Sequence, residues 1–206
     1  MIKFKSYSRT EFISKILGIL KNEKVLDLGC RDGVLKKNLK GDFKYYGIDL
    51  NPVEKDVNIY NHDLQNGLPK NLKNIDIIFA IDVLEHIDNP LEILFEMMES
   101  SNKLIILALP NMAYYKFRLK FLLKGELSLK YPFGVKNTHD RHKWITNLEN
   151  IKKFVNHVDK KKWKINDYNF IFQRKRNFLF FYLEKFLSIF FPNLFVYEKI
   201  FFLKKL

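Results

Sequence analysis

The chain contains a single cysteine, Cys30, among its 206 residues, so no disulfide can form within it. A lone thiol is typical of proteins from reducing compartments. Residues 1–9 lack the apolar stretch of a signal peptide, and we therefore expect no export signal and a cytoplasmic location. Glycine and proline number only eight and six, and they form no linker. Length and the missing linker together predict one domain over residues 1–206.

Acidic residues are scarce in the second half of the chain. Residues 1–110 hold 15 basic and 16 acidic side chains, whereas residues 111–206 hold 21 basic and 7 acidic ones. This excess indicates an anionic partner there, such as phosphate groups, a membrane surface or nucleic acid. Alternatively, the lysines only keep the protein soluble. Nucleic acid is the least favoured partner, because no aromatic and glycine RNA-binding signature is present.

No apolar run is long enough to cross a membrane. The aromatic-rich segment 178–191 is broken by Glu184 and Lys185, and Pro192 follows it. A helix of this kind beside the basic cluster 174–176 can lie in a membrane interface. The favoured alternative is that it covers the sheet or a dimer partner.

Apolar runs alternate with helical patterns through the first half of the chain. Strands that are apolar on both faces predict a parallel sheet covered on both sides. The predicted strands are Lys24–Leu28, Phe43–Ile48, Val57–Tyr60, Ile75–Ile81, Lys103–Leu109, Trp163–Phe172 and Phe195–Leu203.

Helix starts are marked by capping residues. Ser8 with Glu11 predicts a capping box before a helix that reaches Leu20, and Thr146 with Glu149 predicts a second box. Asn89 followed by Pro90 predicts a further helix start. The other predicted helices are Val34–Leu39, the basic helix Met112–Lys124 and the apolar helix Asn177–Phe190.

The segment Val25–Gly33 predicts a nucleotide site. A buried strand leads into a turn in which Gly29 and Gly33 let the backbone approach a ligand, and the next helix presents its N–H groups there. Asp27, at the strand end, can face a cationic ligand. We interpret Cys30 as a packed residue, since no basic partner is evident.

Further acidic residues follow the next strands. Asp49 closes the second strand 20 residues after Gly29, where a carboxylate can accept both hydroxyls of a ribose. Asp63 follows the third strand and can accept from the amine of adenine. The fourth strand ends in Asp82-Val83-Leu84-Glu85-His86.

These residues together resemble the class I S-adenosylmethionine-dependent methyltransferases. The family's first motif reads Asp-x-Gly-x-Gly-x-Gly, and Arg31 stands where the middle glycine is usual. The resemblance implies a Rossmann-like, doubly wound, mostly parallel α/β sheet of seven strands, with the last strand antiparallel between its neighbours. A nicotinamide-binding domain is excluded, because positions 29, 31 and 34 are Gly, Arg and Val rather than Gly-x-Gly-x-x-Gly. The residues that the resemblance assigns to S-adenosylmethionine are Asp27, Gly29, Gly33, Asp49, Asp63 and Asp82.

Residues for the acceptor are expected in the second half. Asn111 ends the fifth strand at the edge where substrates approach, and His86 is a second candidate. In the segment 138–144, His139 or His142 can act as a general base, with Asp140 orienting it and Arg141 binding an anionic group. The alternative is a loop that is merely charged. Metal ligation by His139, Asp140 and His142 looks incomplete, and we expect no metal.

The order of Leu109-Pro110-Asn111, basic helix and histidine-containing loop is similar to the MetW-type methyltransferases and related domains of surface-polysaccharide gene sets. This resemblance implies a cofactor-binding half at 1–110 and a substrate-side half at 111–206. It also implies methyl transfer from S-adenosylmethionine to a small-molecule or glycan acceptor, with oxygen the expected atom. Two alternatives stay open: a non-catalytic partner of an acyltransferase, and a peripheral membrane protein acting on a lipid-linked saccharide.

Overall fold

The computed structural model describes residues 8–53, 55–56, 58–70, 72–127, 141–171 and 178–206. Within these ranges seven strands form one sheet, in the order β3-β2-β1-β4-β5-β7-β6. Neighbouring strands from β1 to β5 pair in parallel, and β7 is antiparallel to both β5 and β6. The predicted Rossmann-like sheet with an antiparallel last strand is confirmed. The strands are β1 Ile19–Leu28, β2 Lys40–Asp49, β3 Ile59–Asn61, β4 Ile75–Ile81, β5 Ser101–Pro110, β6 Trp163–Phe170 and β7 Glu198–Lys205.

Helices cover both faces of the sheet. Because successive strand residues point to opposite faces, Leu26 and Ile78 join one apolar layer while Val25 and Ile77 join the other. The first layer contains side chains of α3 and α5, and the second contains Ile13 of α1. The helices are α1 Arg9–Leu17, α2 Val34–Asn38, α3 Pro90–Ser100, α4 Tyr115–Lys124, α5 Leu148–Val155, α6 Phe178–Phe190 and α7 Pro192–Phe195. Short 3₁₀ turns occur at Leu64–Asn66 and Leu84–His86.

Local capping signals predicted two helix starts correctly. Ser8 and Glu11 form the reciprocal capping box of α1, and the Asn89 side chain caps α3, where Pro90 is the first residue. The expected extension of the first helix to Leu20 is wrong, because Gly18, with φ 82°, ends the helix and Leu20 lies in β1.

The predicted capping box at Thr146 is also wrong. Asn147 caps α5 by accepting from the Asn150 N–H, whereas the Thr146 hydroxyl donates to the carbonyl of Pro110. Glu149 instead pairs with Lys153, one turn later on the exposed face of the helix. Thr146 therefore ties the start of α5 to the end of β5.

The apolar helix α6 leaves most of its apolar side chains exposed instead of covering the sheet, whereas its expected alternative role of covering a dimer partner stays a prediction. Its buried residues are the polar Glu184 and Ser188. Its large apolar side chains are exposed, with Leu179 at 80% and Ile189 at 72%. Among the described residues, no helix has the length and apolar character that a membrane crossing needs.

Candidate active site

The carboxyl ends of β1, β2 and β4 border a cavity of about 1250 Å³. Gly29, Asp49 and Asp82 line it, one from the end of each strand. This edge is where ligands bind in doubly wound sheets. A pocket for one small ligand encloses roughly 300–1,000 Å³, so this cavity has room for a nucleotide-sized molecule and a second substrate.

The turn after β1 brings the backbone close to the cavity. Gly29 has φ +73°, and a Cβ on it would lie 2.5 Å from Cγ2 of Val83. The N–H groups of Gly29 and Cys30 both donate to the carbonyl of Ile48, which joins the turn to β2. Glycine is needed at position 29 both for its backbone angle and for the space that Val83 occupies.

Arg31, which stands where the related motif usually has glycine, also has a positive φ, of 36°. Its N–H donates to Asp49 Oδ2 at 3.0 Å, and its carbonyl accepts from the Val53 N–H at 2.8 Å. The left-handed turn that glycine would favour is therefore present, and its backbone is held by the Asp49 carboxylate and by the Val53 N–H. Gly33 has φ 66° and directly precedes α2, and it is not one of the residues that line the cavity.

Asp49 and Asp63, predicted to bind the ribose and the adenine, both line the cavity. Asp49 Oδ1 accepts from the Asn51 N–H at 2.7 Å, so two backbone donors orient its carboxylate. Asp63 Oδ1 accepts from the Gln65 N–H at 2.9 Å and caps the 3₁₀ turn. Each carboxylate keeps lone pairs for a ligand after these bonds.

Asp27 lies behind the cavity rather than in its wall. It is 4% exposed, and its Oδ2 accepts from the Tyr45 hydroxyl at 2.6 Å. Burial raises the pKa of Asp27 to about 7, although the bond from Tyr45 acts in the opposite direction. Burial also raises the pKa of the Cys30 thiol to about 12, which agrees with its interpretation as a packed residue.

A charge cluster that sequence patterns did not predict lies at the cavity, where the partly exposed Arg9 and Asp82 line the wall and only Glu198 is buried. The Arg9 guanidinium of α1 donates to Asp82 and, at 3.2 Å, to both oxygens of Glu198. Glu198 is fully buried, and burial together with the Asp82 charge raises the pKa of its carboxyl despite the opposing effect of Arg9. A glutamate inside an apolar strand was a signal for Glu198, whereas nothing local marked Arg9.

Two histidines form another part of the cavity wall. The rings of His86 and His142 pack edge to face, with centroids 4.7 Å apart. His86 Nδ1 is 2.9 Å from the carbonyl oxygen of Arg141, and because a carbonyl only accepts, Nδ1 of the neutral ring carries the proton. His142 is 6% exposed, and its Nε2 lies 3.9 Å from Oε1 of the buried Glu85. His139 and Asp140 lie outside the described residues.

These side chains also bear on the expectation of no metal. Glu85, His86 and His142 each offer one ligand atom, and the three atoms lie within 4.8 Å of one another. The predicted histidine loop therefore contributes one histidine to a group whose other members follow β4. Arg141, the expected anion-binding residue, lines the same cavity.

Asn111 is not a cleft residue, and its predicted role in substrate binding is wrong. It is fully buried, and its Nδ2 donates to the carbonyls of Asn193 and Val196 at 3.0 and 2.7 Å. Its Oδ1 accepts from the Ala113 N–H at 3.0 Å. All its polar atoms therefore hold the chain around α7 and the turn before α4.

Residues 9–203 match the profile of the family described as "Methionine biosynthesis protein MetW". A curated relative, the mitochondrial ubiquinone biosynthesis O-methyltransferase of Schizosaccharomyces pombe, is 24% identical over 179 residues. The match covers 78% of this chain and 63% of the length of that relative.

Solved methyltransferases share the fold. The small RNA methyltransferase HEN1 superposes with a TM-score of 0.65 at 16% identity, over 96% of this chain and 25% of that one. Magnesium protoporphyrin IX methyltransferase of Synechocystis PCC 6803, which holds S-adenosylhomocysteine, has a TM-score of 0.56 at 14% identity, over 96% and 81%. The architecture is that of class I S-adenosylmethionine-dependent methyltransferases.

Proposed function

The chain belongs to the MetW family, and we propose that it transfers a methyl group from S-adenosylmethionine to a hydroxyl of a small or glycan-like acceptor. The observation that carries this proposal is one cavity with two chemically distinct walls. Oriented carboxylates and a close-approach turn form one wall, and two histidines form the other. S-adenosylmethionine supplies the activated methyl group, whose sulfonium is already a strong electrophile.

The carboxylate wall fits the cofactor. Asp49, which two backbone N–H groups orient, accepts hydrogen bonds from the ribose hydroxyls. Asp63 accepts a hydrogen bond from the exocyclic amine of adenine. Gly29 lets the ligand contact the turn itself. Asp82 faces the same space and favours a cation there, as the sulfonium requires.

The histidine wall fits the acceptor. Methylation of a hydroxyl requires removal of its proton as the oxygen attacks. His86 and His142, which line the cavity side by side, are our candidates for promoting this step. Arg141 beside them can hold an anionic part of the acceptor. His139 and Asp140 of the same segment stay candidates for the general base and for the residue that orients it.

Calorimetry and product analysis test this function. The protein is expected to bind S-adenosylhomocysteine and not NAD, and mass spectrometry with candidate glycans is expected to find a methylated product. Binding of NAD without a response to S-adenosylhomocysteine would overturn the assignment. Cofactor binding without turnover on any acceptor, together with copurification of an acyltransferase, would favour the non-catalytic alternative.

A second candidate concerns where the acceptor is found. Helix α4, like α6, has exposed apolar side chains, with Leu122 at 80% and Leu123 at 72%. Lys120 and Lys124 lie on the same helix. We propose that the exposed apolar and basic side chains of α4 and α6 together form a surface that docks on anionic lipid, where the acceptor is a lipid-linked saccharide. The basic cluster 174–176 lies outside the described residues, and a homodimer through the same helices would leave vesicles unbound.

A further inference from the structure

We propose that Glu85, His86 and His142 form a binding site for one divalent transition-metal ion at the acceptor end of the cavity. Their ligand atoms lie within 4.8 Å of one another, and His86 and His142 line the cavity. Metal binding at this site is independent of the proposed function. Only the role that we assign to the ion, which is to activate the acceptor hydroxyl, rests on that function.

The backbone builds this group from two distant segments. The 3₁₀ turn Leu84–His86 after β4 places Glu85 and His86 in succession. The Lys143 N–H donates to the Glu85 carbonyl at 2.9 Å, so the segment before α5 is held against that turn. His142 therefore keeps a fixed position beside residues 56 and 57 places earlier in the chain.

A second observation concerns the orientation of His86. Metal-binding histidines usually donate their other ring N–H to a carboxylate or a backbone carbonyl, which fixes the tautomer and raises the basicity of the ligand nitrogen. His86 Nδ1 makes this bond to the carbonyl of Arg141 at 2.9 Å. The nitrogen of the neutral ring that has a lone pair for a metal is then Nε2.

The charge of the surroundings also favours a cation. The side chain of Glu85 is fully buried, and its carboxylate lies close enough to Glu198 to raise the pKa of that group. Asp82 adds a third carboxylate, while Arg9 is the cation that contacts both Asp82 and Glu198. A divalent ion bound by Glu85 would add positive charge to this group of three carboxylates.

The donor set indicates the class of metal. Two imidazoles and one carboxylate suit Zn²⁺, Co²⁺ or Mn²⁺ better than Ca²⁺, which prefers oxygen ligands alone. Three protein ligands leave at least one coordination position for water or substrate, as in catalytic sites. Because two of the ligands line the cavity, we assign that position to an oxygen of the acceptor.

The ion would lower the pKa of the bound hydroxyl, as it does for bound water. The hydroxyl proton passes to solvent, and the oxygen lone pair forms the new O–CH₃ bond. The S–CH₃ bond breaks with its electron pair going to sulfur, which yields S-adenosylhomocysteine. The histidines then act as ligands rather than as the base, so this mechanism is distinct from general-base catalysis by His142.

Cobalt binding tests the site without reference to turnover. Chelator-treated full-length protein titrated with Co²⁺ is expected to bind one equivalent with visible absorption from imidazole ligation. Glu85→Gln, which nearly preserves shape, and His142→Asn should each weaken binding by ~100-fold or more. His157→Asn is the matched control, since His157 is exposed and its Nδ1 lies 3.1 Å from carbonyl oxygens of the preceding helix. Mn²⁺ binding by the unaltered protein, followed by electron paramagnetic resonance, covers the case in which a variant fails to fold.

Absence of saturable Co²⁺ and Mn²⁺ binding by the unaltered protein would overturn the proposal. So would a Co²⁺ affinity of folded Glu85→Gln and His142→Asn that equals the affinity of the unaltered protein. Methyl transfer at full rate after chelation would overturn the metal's role while leaving the methyltransferase function intact. The reverse result, a bound metal in a protein that does not bind S-adenosylhomocysteine, would refute the methyltransferase function and retain the site.

Discussion

Gly29 and Val83 meet across the carboxyl ends of β1 and β4, and a Cβ on Gly29 would lie 2.5 Å from Cγ2 of Val83. The side chain that follows β4 therefore sets how closely the cofactor turn after β1 can pack. A methyl group at position 29 must displace Val83 or the turn, in addition to adopting a φ of +73°.

We expect Gly29→Ala to lower the free energy of unfolding by about 2–4 kcal/mol, from the positive φ and from overpacking together. Gly125→Ala is the matched control, because Gly125 has φ +64° and, among the described residues, no atom lies within 4 Å of its Cβ position. Urea titration should show a loss of about 1–2 kcal/mol there. Gly29→Ala should therefore lose more unfolding free energy than Gly125→Ala, and adding Val83→Ala to Gly29→Ala should recover part of this extra loss. No recovery would mean that backbone strain alone destabilises Gly29→Ala.

Asp49 is expected to contribute directly to cofactor affinity. Asp49→Ala should weaken binding of S-adenosylhomocysteine by about 1.5–3 kcal/mol, because a charge-assisted acceptor for the ribose is lost. Asp42→Ala, an exposed change on the same strand, serves as the control in calorimetry. If Asp49→Ala binds S-adenosylhomocysteine as tightly as the control does, the carboxylate only fixes the backbone at Arg31 and Asn51 and does not bind the cofactor.

Asp27 is expected to make stability depend on pH. Its raised pKa of about 7 means that the folded protein keeps this proton after the unfolded chain has lost it. Stability from this group is complete below about pH 4 and is lost as the pH rises towards 7, by a few kcal/mol. Asp27→Asn, which never ionises, should therefore match the parent near pH 4 and exceed it at pH 8 in urea unfolding without cofactor. Parallel pH profiles for the two proteins would refute this assignment.

Asn111 is expected to matter for stability and not for substrate binding. Asn111→Ala removes three hydrogen bonds and leaves buried carbonyls unsatisfied, at a cost of about 1–3 kcal/mol in unfolding free energy. Exposed Asn102 in β5, the strand that ends directly before Asn111, provides the control, with little change on substitution by Ala. The Michaelis constant for the acceptor should stay unchanged in folded Asn111→Ala. A selective rise in that constant would restore Asn111 to the acceptor site.

The surface of α4 and α6 is expected to bind anionic vesicles in a salt-dependent way. Neutralising Lys120 and Lys124 to Gln should weaken binding ~30-fold, since each basic residue near such a membrane contributes about 1 kcal/mol. Lys160 and Lys161, changed to Gln together, alter net charge equally at the turn before β6 and should leave binding unchanged. Sedimentation with anionic and zwitterionic vesicles measures this. Absence from both pellets would exclude lipid docking.

Local signals in the sequence were sufficient for much of the fold and half of the site. The capping box of Ser8 and Glu11 involves residues three apart, so its hydrogen bonds form wherever the rest of the chain lies. Strands apolar on both faces require a covered sheet, and the carboxyl ends of parallel strands share one edge. The order of Gly29, Asp49 and Asp63 therefore already placed them in a single cavity.

Tertiary structure decided the remainder, because it depends on contacts between distant residues. Arg9 reaches Glu198, 189 positions away, and His142 reaches Glu85 through a segment with no periodicity. The sequence by itself determined that α6 is apolar on most sides, but apolar character does not specify which surface a helix covers. Asn111 likewise has the same amide whether it faces a substrate or backbone carbonyls, and only the position of the Asn193 and Val196 carbonyls next to it made it structural.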